Sequence, residues 1–204
     1  MKKPLILITN DDGIMAPGIR HLVEYMKELG EVVVVAPDKP QSGMGHAVTI
    51  SNPLRLEKIT LDDSHPEYSC SGTPVDCVKL AVNKVLKRKP DLLVSGINHG
   101  ANSSISVIYS GTMSAAIEGC MESIPSIGFS LLDHRFDADF SQAKDYVIKL
   151  ASNVLKHGLP TGICLNVNIP AVSASDLKGV KVCRQARGNW EEEFDHRKDP
   201  RGKD

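Results

Sequence analysis

The most constraining feature of this sequence is a repeated pairing: a short unbroken aliphatic run, then an amphipathic segment of helical period. Leu5–Thr9 (LILIT) reads as a buried strand. After the loop 10–16, Pro17 stands where a helix can begin, because proline is tolerated at the first helical position. Ile19, Leu22, Val23, Met26 and Leu29 then fall at helical spacing, and Gly30 is placed to close the helix in a left-handed conformation. Residues 31–36 (EVVVVA) form a second buried strand. This alternation predicts βαβ units and an α/β fold with a mostly parallel sheet.

The pattern continues with interruptions. Residues 37–45 (PDKPQSGMG) are a Gly/Pro-rich loop. Between 47 and 70 the pieces AVTI, LRLEKI and EYSC predict a small antiparallel addition. Thr73, Pro74 and Asp76 have the form of a helix start, with a helix running to about Arg88. Lys84, Lys87, Arg88 and Lys89 crowd its end, as a basic patch or as complements to the helix dipole. Strands follow at 91–96, 126–131 and 163–169, and helices at 110–121 and 139–157. The polar stretch 97–109 reads as a loop, and 180–186 (VKVCRQA) as a last strand before the charged residues 187–204.

A chain of 204 residues suits one α/β domain. At that length a domain hides roughly 70% of its unfolded surface. The net charge of -1 lacks the basic footprint of a nucleic-acid binder, so duplex binding is not expected. A negatively charged substrate would need local help from a metal or from helix N-termini. Five cysteines, an odd number without a CxxC pair, read mostly as buried thiols in a reducing compartment. The apolar run after Pro4 is too short for a signal peptide, and nothing approaches the ~20 apolar residues that span a bilayer. The expectation is a cytoplasmic protein with no membrane partner.

Ligands in a parallel sheet bind beyond the carboxyl ends of the strands, which singles out the loops 10–16, 37–46 and 97–109. The first holds Asn10-Asp11-Asp12-Gly13. Neighbouring carboxylates repel unless a cation sits with them, and hard oxygen ligands suit Mg²⁺, Mn²⁺ or Ca²⁺. The same residues also suit an Asp-Gly turn with one acid capping the helix, and this loop alone does not choose. In the second loop Ser42 offers a neutral oxygen, while Gly43 and Gly45 let backbone N–H groups approach a phosphate. In the third, Asn98 offers an amide oxygen and Asn102 a contact to phosphate or ribose; both also suit loop bracing. Ser110-Gly111-Thr112 opens a helix, where anions bind, with Ser110 equally suited to a plain N-cap. The seven histidines show no zinc spacing.

These stretches together resemble the SurE (survival protein E) family of stationary-phase 5′(3′)-nucleotidases. The resemblance rests on Thr9-Asn10-Asp11-Asp12-Gly13 with Ala16-Pro17-Gly18, on Val35-Ala36-Pro37-Asp38 with Gln41-Ser42-Gly43, and on Ser71-Gly72-Thr73-Pro74-Val75-Asp76-Cys77-Val78. Residues 91–102 (DLLVSGINHGAN) and Tyr109-Ser110-Gly111-Thr112 complete it. It implies a Rossmann-like three-layer α/β fold with short antiparallel additions, and a metal-dependent phosphomonoesterase acting on nucleoside 5′- and 3′-monophosphates. It further implies one divalent ion, Mg²⁺ or Mn²⁺, on Asp11, Asp12, Ser42 and Asn98, the two acids being catalytic. Substrate contacts fall to Asn10, Gly43, Asn102, Ser110, Gly111 and Thr112, and the assembly is a homodimer or homotetramer. The nucleotidase domain is expected over 1–189. Residues 190–204 then start an extension that family members continue into a Tyr/Trp-rich segment, a dimer-forming arm and a final strand, so the sequence reads as truncated there.

Two other readings meet specific obstacles. A haloacid-dehalogenase-type phosphatase needs Asp-x-Asp, whereas these acids are adjacent. A non-enzymatic Mg²⁺-binding signalling module of receiver type needs a phosphorylatable Asp at a later strand end, and Val94-Ser95-Gly96 supplies none. No leaving-group acid stands out; His46 and His99 are only nearby candidates, and a structural role suits them better.

Overall fold

A computed structural model of the chain describes residues 3–61, 64–135, 137–173 and 175–203. Its frame is a seven-stranded sheet between two helical layers. In chain order the strands are β1 (Leu5–Thr9), β2 (Glu31–Pro37), β3 (Leu56–Ile59), β4 (Glu67–Cys70), β5 (Leu92–His99), β6 (Ser126–Leu132) and β7 (Leu165–Pro170). They lie in the order β3-β4-β2-β1-β5-β6-β7, all parallel except the β3–β4 pair.

Helices α1 (Pro17–Lys27) and α5 (Lys144–His157) cover one face, packing Ile19, Leu22, Val147 and Ala151 onto Ile6, Ile8 and Val34. Helices α2 (Pro74–Leu80) and α4 (Gly111–Met121) cover the other, packing Cys77, Val78 and Ala115 onto Leu5, Leu7, Val35 and Leu93. Successive strand residues feed opposite layers, so the central runs are apolar without alternation. A four-residue helix, α3 (Ser106–Tyr109), precedes α4. From β1 the chain adds β2 on one side and later β5 on the other. The strand order therefore reverses between β1 and β5, the position at which open α/β sheets leave a crevice.

Several expectations needed correction. Gly30 does not take a positive φ; Glu28 caps α1, and a Cβ on Gly30 would strike the Pro4 carbonyl, so close approach is what demands glycine there. The AVTI piece is not a strand, whereas LEKI and EYSC are β3 and β4. Helix α2 gives way to a π-helical turn, Ala81–Val85, and ends before Arg88, whose guanidinium bonds Asp91 at 2.8 Å. β5 runs on to His99, so Asn98 stands within a strand and not in a loop. Residues 180–186 form no strand, and each of their side chains is exposed. All five cysteines are free, but only Cys70 and Cys77 are buried.

Candidate active site

The crevice between the carboxyl ends of β1 and β5 gathers the acids. Thr9 pairs with Ser95 in the parallel ladder, so Asp11 and Asp12 follow β1 beside the carboxyl end of β5. The chain folds back at once: the Asn10 amide donates to the Gly13 carbonyl at 2.8 Å, and Gly13 takes φ +97°, a conformation glycine tolerates. Backbone bonds then tie this loop to the next, from Ile14 N–H to the Pro37 carbonyl at 2.8 Å and from Gln41 N–H to the Asp11 carbonyl at 2.7 Å. Ser42 follows directly on that second bond, with its side chain in solvent.

Asp11 is 4% exposed, and its Oδ1 accepts the Thr112 hydroxyl at 2.6 Å. Burial, and then the charge of Asp12, push its carboxyl up to about 6. Asp12 is also raised, chiefly by burial, while the nearby His99 ring and backbone N–H pull it down. Among the described residues neither acid pairs with a lysine or arginine, and Asp12 Oδ2 is buried with no hydrogen-bond partner. The frame can carry this strain. The four buried aliphatic side chains of β1 contribute about 1.5–3 kcal/mol each, against roughly 3 kcal/mol for the displacement of Asp11.

Asn98 spends its amide N–H groups on the carbonyls of His99 (3.0 Å) and Gly100 (2.9 Å), so Oδ1 is the part of its side chain left to act as an acceptor. Ser110 caps α4, accepting from Met113 N–H at 3.0 Å, and Gly111 lies against Asp11 so closely that a Cβ would stand 2.6 Å from Asp11 Cβ. Gly43 takes φ +75° in open space. Asn102 is buried: its amide donates to Ser130 Oγ at 2.9 Å, its N–H to Asn168 Oδ1 at 2.9 Å, and its carbonyl accepts from Asn166 at 2.7 Å. The chain thus brings Gly111 and Thr112 directly onto Asp11, in the loop that also carries Asn10 and Asp12. It sets Ser42, Gly43 and Asn98 at the rim and ties Asn102 to β6 and β7.

Three features were missed. Thr112, expected as a substrate contact, also holds Asp11 through its hydroxyl. Asn166 and Asn168 brace Asn102, and their period-two spacing in LNVNIP was a readable sign of a shared face. Tyr109 stacks on Trp190, with ring centroids 4.4 Å apart, beside the start of α4. His46 bonds Glu118 through Nε2, and the His99 ring packs edge-on to Phe140.

Among the described residues no three His, Cys, Asp or Glu side chains gather at one point. Any cation here would be held by two acids with neutral oxygens, a donor set for a hard ion. The buried, unpartnered Asp12 Oδ2 and the amide oxygen of Asn98, whose N–H groups are already spent, fit that role.

The chain is similar to known proteins along its whole length. A family model described as survival protein SurE matches residues 6–192. A protein of Christiangramia forsetii named 5′-nucleotidase SurE is 64% identical over 205 residues, covering 100% of this chain and 79% of its own length. The 5′-nucleotidase SurE of Cytophaga hutchinsonii is 65% identical over 204 residues, with coverage of 100% and 79%. The crystal structure of the SurE protein from Aquifex aeolicus superposes with a TM-score of 0.84 at 42% identity, covering 98% of this chain and 79% of that one.

Proposed function

This chain belongs to the survival protein SurE family, and from that premise we infer that it is a 5′-nucleotidase. It hydrolyses nucleoside monophosphates to nucleoside and phosphate, with 3′-monophosphates as further substrates. We assign one divalent ion, Mg²⁺ or Mn²⁺, to Asp11, Asp12, Ser42 and Asn98. The observation that carries the assignment is the pair of adjacent carboxylates at the sheet's switch point, Asp11 buried and Asp12 half-buried with an unpartnered, buried Oδ2. A divalent ion at such a site neutralises phosphoryl charge and lowers the pKa of bound water.

The chain's own groups supply the rest. Met113 N–H is taken by Ser110, whereas the first N–H groups of α4, on Gly111 and Thr112, lie where a helix binds a phosphoryl oxygen. The Thr112 hydroxyl holds Asp11 in place. Asp11 and Asp12 stand ready to orient a water in line with the departing ribose oxygen. We place the catalytic unit at residues 1–189, in the cytoplasm. We infer a homodimer or homotetramer, supported by apolar side chains that a single copy leaves in water, Val182 at 95% and Phe194 at 90% exposed. Sedimentation that gives only monomer would overturn that assembly.

Phosphate release from a panel of nucleoside monophosphates tests the activity and separates an enzyme from a Mg²⁺-binding signalling module. Asp12→Asn is expected to abolish turnover with the fold intact by circular dichroism. Chelation is expected to stop it, and Mg²⁺ or Mn²⁺ to restore it. Full turnover in excess EDTA would sink the metal assignment.

A further inference from the structure

Ser42 stands on a short span strung between two anchors. On one side Gln41 N–H bonds the Asp11 carbonyl at 2.7 Å. On the other, Gly45 N–H bonds the Tyr109 carbonyl at 3.2 Å, the Ala47 carbonyl accepts the Thr73 hydroxyl at 2.7 Å, and Thr49 N–H bonds Asp76 at 3.1 Å. Ser42, Gly43 and Met44 between them are exposed. The position of that span depends on both anchors, and the second reaches across to α4.

One further contact ties this anchor to α4. His46 Nε2 lies 2.9 Å from Glu118 Oε2, and Lys79 Nζ lies 2.6 Å from Glu118 Oε1. Glu118 is 2% exposed, so its carboxylate is spent on these two partners and not on water. Burial pushes the Glu118 carboxyl up, but the bonds from Lys79 and His46 outweigh burial and leave it below its ordinary value. Glu118 sits on α4, the helix whose first turn carries Ser110, Gly111 and Thr112. His46 thus joins the loop bearing one ligand candidate to the helix bearing the phosphate contacts.

We propose that the Glu118–His46 pair, backed by Lys79, is a latch that fixes the Ser42 loop against α4 and so sets how tightly the site holds its metal. His46 is a positioning residue in this scheme: it acts through Ser42 and touches neither substrate nor metal. The proposal rests on the ligand set assigned above, and the experiment separates the two.

Mn²⁺ binding to the purified full chain is read by the electron paramagnetic resonance of the free ion, and loop order by amide hydrogen exchange. His46→Ala is expected to weaken Mn²⁺ binding by about tenfold, the scale found when a ligand's supporting contacts are removed. Exchange at 42–46 should quicken while the interior of α4 stays protected. At saturating Mn²⁺, kcat should remain within about twofold of wild type, because the groups that meet the reaction are unchanged. His46→Gln keeps an amide N–H near the position of Nε2 and should recover most of the affinity. Glu118→Gln, which removes the charge and keeps the shape, should weaken binding in the same direction, and the double variant should be no worse than the worse single one. Wild-type affinity together with wild-type exchange at 42–46 in His46→Ala would overturn the latch. A wild-type chain that binds no Mn²⁺ would overturn the metal assignment and the tuning of Ser42 with it, and the exchange of 42–46 would then decide the latch alone.

Discussion

Asp11 makes the metal-free protein less stable than its frame allows. A carboxyl raised from 3.8 to about 6 holds a proton in the folded state at pH values where the unfolded chain has lost it. Stability from this residue is therefore greatest below 3.8, falls as pH rises through the window between 3.8 and about 6, and stays low above it. The full effect is roughly 3 kcal/mol. In EDTA at pH 8, Asp11→Asn should raise stability to urea by about 2 kcal/mol, because the amide still accepts from Thr112 without carrying charge. At pH 5 the gain should shrink. Mg²⁺ or Mn²⁺ should reverse the ranking by stabilising wild type alone. An Asn variant less stable than wild type in EDTA at pH 8 would contradict this account. The two acids were legible in the sequence because they follow a strand that had to be buried. Their support was not: Thr112 lies 101 positions from Asp11, and no local spacing reports a bond made across the sheet.

Among the elements, α4 and β5 do most to place the chemistry. Gly111 shows why the start of α4 is built from small residues. A Cβ there would stand 2.6 Å from Asp11 Cβ and 3.1 Å from Pro74 Cγ, and neither neighbour is the free end of a flexible side chain. Gly111→Ala should therefore push α4 away from the Asp11 loop and α2, costing about 1–3 kcal/mol as overpacking. Turnover should fall by more than that loss of stability explains, since the Thr112–Asp11 bond is displaced with the helix. Urea unfolding beside phosphate release checks it; a variant with wild-type turnover would show that α4 has room to spare. The central strands were readable as short unbroken aliphatic runs, α1 and α5 by apolar residues at helical spacing, and α4 by its run of small residues. β5 was read three residues short because Gly96 punctuates the run like a strand end. In the structure the ladder instead shifts register between Ser95 and Asn98 and resumes to His99. Gly30 misled for a related reason: glycine after a helix signals either a left-handed turn or a close approach, and only the position of the Pro4 carbonyl tells which.

At the scale of the molecule, the sheet and its two helical layers follow from the sequence pattern, whereas the course of the chain beyond β7 does not. Residues 180–186 have the composition of a strand, but β-propensity needs a neighbouring edge and a surface to pack on. Here Val180 and Val182 remain 55% and 95% exposed. The arm is instead held by point contacts on the segment before α4: the Gln185 amide donates to the Ser104 carbonyl at 2.9 Å, and Trp190 stacks on Tyr109. An aromatic stack contributes about 0.5–1.5 kcal/mol, and so small an energy is a large share of what secures such an arm. Trp190→Ala should then raise the population of detached arm by about two- to tenfold. Dilute trypsin, which has Lys178, Lys181, Arg184 and Arg187 available to it, reads that population when opening is fast relative to cleavage. The expected result is cleavage faster by the same factor within 178–187, with the domain up to β7 left whole and its thermal midpoint nearly unmoved. Equal cleavage rates in the two proteins would mean that the Tyr109–Trp190 contact does not hold the arm.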